Sequence, residues 1–170
     1  MIYEEDIMAN IRILNTEDLE IYKALLANNA YTFSWDQLYH QHVSDDYLLN
    51  ILSSNDEYWN IFGIFKNNEL AACVTLRQLR QIGRQHKAIV ENLFLKVKKD
   101  EIIAQDLVCE VINYAKKQGI EKLMTCVTSN NISGKIFFTS FGFEMLGLEE
   151  NSAKVGDEYF DVHWLLYDIT

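Results

Sequence analysis

The chain has 170 residues, 49% of them hydrophobic, which is enough for one compact domain over 1–170 with a sizeable core. Fifteen Lys and Arg against twenty-five Asp and Glu leave a net charge of −10. That speaks against non-specific nucleic-acid binding, which depends on phosphate neutralisation, and to a lesser degree favours a cationic small partner. No run approaches the roughly 20 apolar residues of a membrane span, and the acidic stretch from Met1 to Asn10 does not read as a secretory signal.

In chain order, Ile11 to Leu14 reads as a short strand, and Asn15-Thr16 caps a helix whose apolar face is Leu19, Tyr22, Leu25 and Leu26. Ser34-Trp35-Asp36-Gln37 has capping-box spacing and opens a second helix. Ser44-Asp45-Asp46 opens a third, carrying Tyr47, Leu48 and Ile51. Trp59 to Phe65 and Leu70 to Leu79 read as a hairpin turning at Asn67-Asn68, and a polar loop leads to a strand over Ala88 to Val97. Apolar residues then recur at helical spacing from Asp100 to Gln118, with Gly119 as the stop. Strand Lys122–Val127, helix Ile132–Ser140, and strands Phe143–Gly147 and Glu158–Asp168 complete a mixed α/β domain around one central sheet. Cys73, Cys109 and Cys126 are widely spaced among apolar residues, so buried reduced thiols and a cytoplasmic location are the expectation.

The most specific segment is Asn131-Ile132-Ser133-Gly134-Lys135-Ile136-Phe137-Phe138-Thr139-Ser140-Phe141-Gly142-Phe143, an Asn, a small residue three positions on, two aromatics and a Gly-Phe. With the element order around it, this segment resembles the acetyl-CoA side of the GCN5-related N-acetyltransferases. The resemblance implies a central, mostly antiparallel, twisted sheet of six to seven strands flanked by helices. It also implies acetyl-CoA as cosubstrate, with no metal, and a transfer to a small amine. A homodimer is one assembly the family allows. Neither a nucleic acid nor a membrane is expected as a partner.

Carried over residue by residue, the resemblance places the cofactor along Phe94, Leu95, Lys96 and Val97. The pyrophosphate turn then runs through Lys99, Ile102 and Ala104, where backbone N–H groups at a helix N-terminus would hold an anion. Only Ala104 matches that motif cleanly. Ile102 stands where a glycine is usual, and Asp100 and Glu101 bring negative charge to the same helix end. Lys96, Lys98 and Lys99 offer side-chain phosphate contacts instead. Asn131 is both a pantetheine contact and a helix cap, and Gly134 is the small residue beside the cofactor. Phe138 replaces the usual tyrosine and cannot protonate a leaving thiolate.

Glu91 has two readings. It is the candidate general base that takes the amine proton, directly or through water, or it is a strand acid that is solvated or paired with an arginine such as Arg77. The aromatic and acidic residues around Trp35 fit an acceptor pocket or ordinary packing. Lys154 to Asp161 resembles the segment that closes the acceptor site in small-molecule acetyltransferases, making Tyr159, Asp161 and His163 further candidates. Alternation puts these three on one face and Phe160, Val162 and Trp164 on the other. His40 and His42, if helical, point about 200° apart, which does not make a metal pair. The leading expectation is an acetyl-CoA-dependent N-acetyltransferase. The rival is a catalytically silent domain of the same fold that binds a ligand or partner.

Overall fold

The structure, a computed structural model, describes residues 10–27, 31–32, 43–53 and 57–169, with backbone alone for 31–32. The strands are β1 (Asn10–Ile13), β2 (Tyr31–Thr32), β3 (Trp59–Lys66), β4 (Glu69–Gln78), β5 (Lys87–Leu95), β6 (Lys122–Thr128), β7 (Glu144–Val155) and β8 (Glu158–Asp168). The described helices are α1 (Leu19–Ala27), α2 (Asp45–Leu52), α3 (Glu101–Lys117) and α4 (Ile132–Ser140). The helix expected to open at Ser34 falls outside the described residues.

Seven strands lie in the order β1-β3-β4-β5-β6-β8-β7, and the two-residue β2 adds to β5. Every pairing is antiparallel except β5 with β6. That one parallel neighbour requires a long crossover, which α3 supplies. The mixed α/β architecture is the one the sequence predicts.

Local chemistry explains the elements. Asn15 forms a capping box with Asp18 ahead of α1, and Arg12 reaches back to the same carboxylate with two hydrogen bonds of 2.7 and 2.8 Å. Ser44 caps α2 by accepting from the Tyr47 N–H. Asn67 and Asn68 both have positive φ, 53° and 62°, as a two-residue hairpin turn of this hand requires. Gly119, at φ 74°, follows the end of α3.

Two cores sandwich the sheet. On one face Leu107, Val108 and Val111 of α3 and Phe137 and Phe138 of α4 pack against Phe62, Val74, Leu76, Val90, Leu123 and Leu165. On the other, Tyr22, Leu25, Leu48 and Ile51 of α1 and α2 pack against Ile61, Cys73 and Phe94. Full burial of each such side chain is worth about 1.5–3 kcal/mol. All three cysteines are free, but only Cys73 is fully buried. Cys109 is exposed because the buried stripe of α3 runs through Ala104, Leu107, Val108, Val111 and Ala115 and leaves position 109 on the outer side. No described helix is long and apolar enough to cross a membrane.

Candidate active site

The site begins where the sheet comes apart. β5 and β6 pair only over Lys87–Ile89 and Lys122–Met124. Beyond that point β5 stays with β4 and β6 stays with β8, so a gap opens between two strands at the centre of the sheet.

Just past the last shared pair, the register of β5 slips against β4: Thr75 faces Glu91 while Cys73 faces Phe94. The extra residue is accommodated at Asn92, buried and at φ 54°, a conformation that asparagine tolerates better than most side chains. The bulge inverts the alternation of the strand. Val90, Leu93 and Leu95 all join the α3–α4 core, Phe94 joins the α1–α2 core, and Glu91 projects from the α1–α2 face.

On that face Glu91 is held by Arg77, Nε to Oε1 at 2.8 Å and Nη2 to Oε2 at 3.3 Å. The pairing reading of Glu91 is therefore the geometry found. The bond to Glu91 raises the Arg77 pKa. The Arg77 guanidinium also lies 5.7 Å from the Trp59 ring, which meets Tyr47 edge-on at 5.9 Å. Across the gap, Cys126 of β6 is paired with Trp164 of β8, and the Trp164 indole N–H donates to Glu149 of β7 at 2.7 Å. Burial, with the charges of Glu91 and Glu149 adding to it, pushes the Cys126 thiol up to about 12. Cys126 is thus a neutral thiol at the throat of the gap and a poor nucleophile at neutral pH.

The α3–α4 side carries the expected cofactor residues. The N-terminus of α3 has no side-chain cap, because Asp100 makes no capping hydrogen bond. Asp100 uses its carbonyl instead, accepting from Ile103 and Ala104. Ala104 is fully buried, whereas Ile102 is 72% exposed. Lys99 is exposed. The Lys96 amine is ion-paired with Glu69, which is held below the usual carboxylate range, and the Lys96 N–H donates to Ala71 at 2.9 Å. Of the Phe94–Val97 stretch expected along the cofactor, the Lys96 N–H is thus committed to the β4 residue Ala71. Phe94 and Leu95 are buried packing residues whose backbones pair with β4 on one edge and with β2 on the other. Val97 is exposed.

In α4, the Asn131 side chain accepts from the Gly134 N–H at 2.9 Å, so the capping reading holds. Gly134 is buried. Phe138 is fully buried, meeting Phe137 at 5.2 Å and Phe143 at 5.4 Å, both edge-on. Its ring is part of the core.

Trp35 lies outside the described residues, as do His40 and His42. Tyr159 is exposed near the tip of the β7–β8 hairpin, with the Lys154 amine 5.1 Å above its ring. Asp161 accepts from the Asn151 N–H at 2.7 Å and so secures the irregular stretch between Glu149 and Ala153. His163 sits opposite Val127. Asp161 and His163 therefore belong to the α3–α4 face, because the Cys126–Trp164 register turns the even-numbered residues of β8 toward Glu91. Trp164, Glu149 and Cys126 stand on the Glu91 side instead, and only that register reveals them. Among the described residues no group of three His, Cys, Asp or Glu side chains is placed to hold a metal ion.

Residues 11–164 match the family model of the acetyltransferase (GNAT) domain. No curated protein matches the chain. Among solved structures, a probable acetyltransferase from Staphylococcus epidermidis ATCC 12228 is 49% identical, with a TM-score of 0.90 over 96% of this chain and 100% of that one. An N-acetyltransferase from Staphylococcus aureus Mu50 is 34% identical, with a TM-score of 0.80 over 95% of this chain and 98% of that one. A more distant protein from Salmonella typhimurium, solved with its cofactor acetyl-CoA, shares the fold at 15% identity, with a TM-score of 0.75 over 95% and 94% of the two chains. The domain match over most of the chain and the 49% identical structure of the same fold agree, and the chain belongs to the GCN5-related N-acetyltransferases.

Proposed function

We propose that the chain transfers an acetyl group from acetyl-CoA to the nitrogen of a small amine by direct attack. The observation that carries this reading is the gap between β5 and β6. It connects the uncapped N-terminus of α3 on one side with Glu91 on the other.

The residues present fit acetyl-CoA. The first N–H groups of α3, ahead of the two that donate to Asp100, and the dipole of that helix end suit a pyrophosphate, with Lys99 next to them and Asn131 and Gly134 at the start of α4. When bound, acetyl-CoA supplies an acyl group already activated as a thioester. Lys96, tied to Glu69, contributes charge near the turn rather than a phosphate contact.

The two readings of Glu91 combine in this proposal: paired with Arg77, which fixes its orientation, the carboxylate takes the amine proton through water. As nitrogen bonds to the acetyl carbon, the carbon–sulfur bond breaks, the amine gives up one proton and the departing thiolate takes one. With the Phe138 ring in the core and without a hydroxyl, that proton comes from water. Cys126 stays protonated and aside, which favours direct attack over an acyl-enzyme route.

Calorimetry with acetyl-CoA, followed by thiol release across a panel of amines, tests the reading. Binding together with amine-dependent release is expected. No binding at millimolar acetyl-CoA would overturn it.

A further inference from the structure

The bulge that turns Glu91 toward the α1–α2 face also strands a polar side chain. Asn92 is only 6% exposed, yet its side-chain amide makes no hydrogen bond among the described residues. Nor is that amide sealed from solvent. The orphan atoms without accessible surface include Thr125 Oγ1 but neither polar atom of the Asn92 side chain. An amide held so deep without a partner is costly and calls for a reason. Backbone conformation alone does not supply one. At φ 54° a glycine would serve as well as an asparagine, and it would bury no amide.

The position is one at which the sheet leaves room for a ligand. On the edge away from β4, β5 is paired with β6 as far as Ile89 and with β2 from Phe94 onward. Between those points lies a window that no described strand flanks. Glu91 leaves it toward the α1–α2 face and Leu93 toward the α3–α4 face, with Asn92 between them in the chain. An acyl group brought from the α3 side to an amine on the Glu91 side has to cross at this window. Its carbonyl oxygen can only accept hydrogen bonds, and an asparagine Nδ2 carries two donors.

We infer that Asn92 is a catalytic residue whose Nδ2 donates to the carbonyl oxygen of the acetyl group. The contact holds the thioester in the window and supports the negative charge that gathers on that oxygen as the amine attacks. No proton moves through it: the oxygen regains its double bond as the carbon–sulfur bond breaks. A donor fixed in a largely buried position reorganises little during the reaction, which is where such donors act most strongly. The inference rests on the acetyltransferase reading of the gap.

Asn92→Gly keeps the positive φ and removes the amide. Calorimetry with acetyl-CoA and with CoA, which lacks the acetyl group, reads the contact. Relative to wild type, the ratio of the two affinities should shift against acetyl-CoA by roughly three- to tenfold, with CoA affinity in place. For an amine that the protein acetylates, kcat should fall by roughly 100-fold. Should the glycine variant not fold, Asn92→Asp keeps the shape and the tolerance of positive φ but has no donor once ionised, and the same shifts are expected. An unchanged affinity ratio, or an unchanged kcat with an acetylated amine, overturns the inference while the acetyltransferase reading stands. If wild type binds neither acetyl-CoA nor CoA, both fall.

Discussion

Phe138→Tyr separates a core role for this ring from a catalytic vacancy. The Phe138 side chain has no exposed surface, and two aromatic neighbours meet it edge-on at 5.2 and 5.4 Å. A para-hydroxyl added there must leave water for an apolar surrounding. Without a partner it costs about 1–3 kcal/mol, to which overpacking adds. For a domain of this size each 1 kcal/mol moves Tm by about 2–4 °C, so the variant should melt roughly 2–12 °C lower. Thiol release at saturating amine should not rise, because the new hydroxyl would lie in the core rather than in the gap. Differential scanning calorimetry and a steady-state assay on the same preparation read both quantities. An unchanged Tm with faster turnover would refute the placement, since it would mean the para position already faces the reacting groups.

Asp100→Asn with Glu101→Gln should tighten acetyl-CoA binding by roughly threefold or more, through relief of repulsion at the open α3 end. Unchanged affinity in calorimetry would show that these carboxylates face away from the phosphates. The Asp18 carboxyl is held below its usual range, first by the Arg12 guanidinium and then by the Asn15 N–H. Because its folded pKa is depressed, the stabilisation is complete above the unfolded value of about 4 and is lost as pH falls through the folded one. Asp18→Asn should therefore cost about 1–2 kcal/mol at neutral pH, Arg12 being 40% exposed, and should converge with wild type in acid denaturation. Convergence in the opposite direction would refute the pairing. Gly63→Ala puts a Cβ 2.7 Å from Leu14 Cδ2 and 2.7 Å from Leu70 Cδ1, and should lower stability by about 1–3 kcal/mol in urea unfolding.

The elements were legible wherever a period was strong. The helical spacing of Leu107, Val108, Val111 and Ala115, the Asn67-Asn68 turn and the Gly119 stop each have one physical reading. The site was less legible because it depends on register, which no single segment encodes. A reader of Ile89 to Leu95 sees one regular strand and places Glu91 on the face of Leu93. The bulge at Asn92 separates them, and it exists only in relation to Thr75 and Cys73 on the neighbouring strand. For the same reason alternation along β8 separates Tyr159, Asp161 and His163 from Trp164 but does not say which of the two faces looks toward Glu91, and nothing local singles out Glu149. Strand β7 runs on to Val155, well past the Gly147 boundary expected, because nearly all of it is exposed and so carries no two-residue apolar period. The Lys96 amine, which the motif carry-over directs at phosphate, pairs with Glu69, a contact 27 positions away that no local motif encodes.

The β7–β8 hairpin has one further consequence. The ladder between β6 and β8 ends at Thr128 and Val162, yet the hairpin continues to Val155 and Glu158. Past that point the Ser129 N–H still donates to the Asp161 carbonyl at 2.8 Å, and beyond it the hairpin is joined through Ala153–Phe160, Lys154–Tyr159 and Val155–Glu158. A two-stranded ribbon of this kind is marginal in water, so its opening costs far less than global unfolding. Its amides should exchange with solvent ahead of the rest of the sheet. The molecule thus carries a loosely held arm rooted in a rigid frame, and whatever enters beside it can do so without disturbing the core.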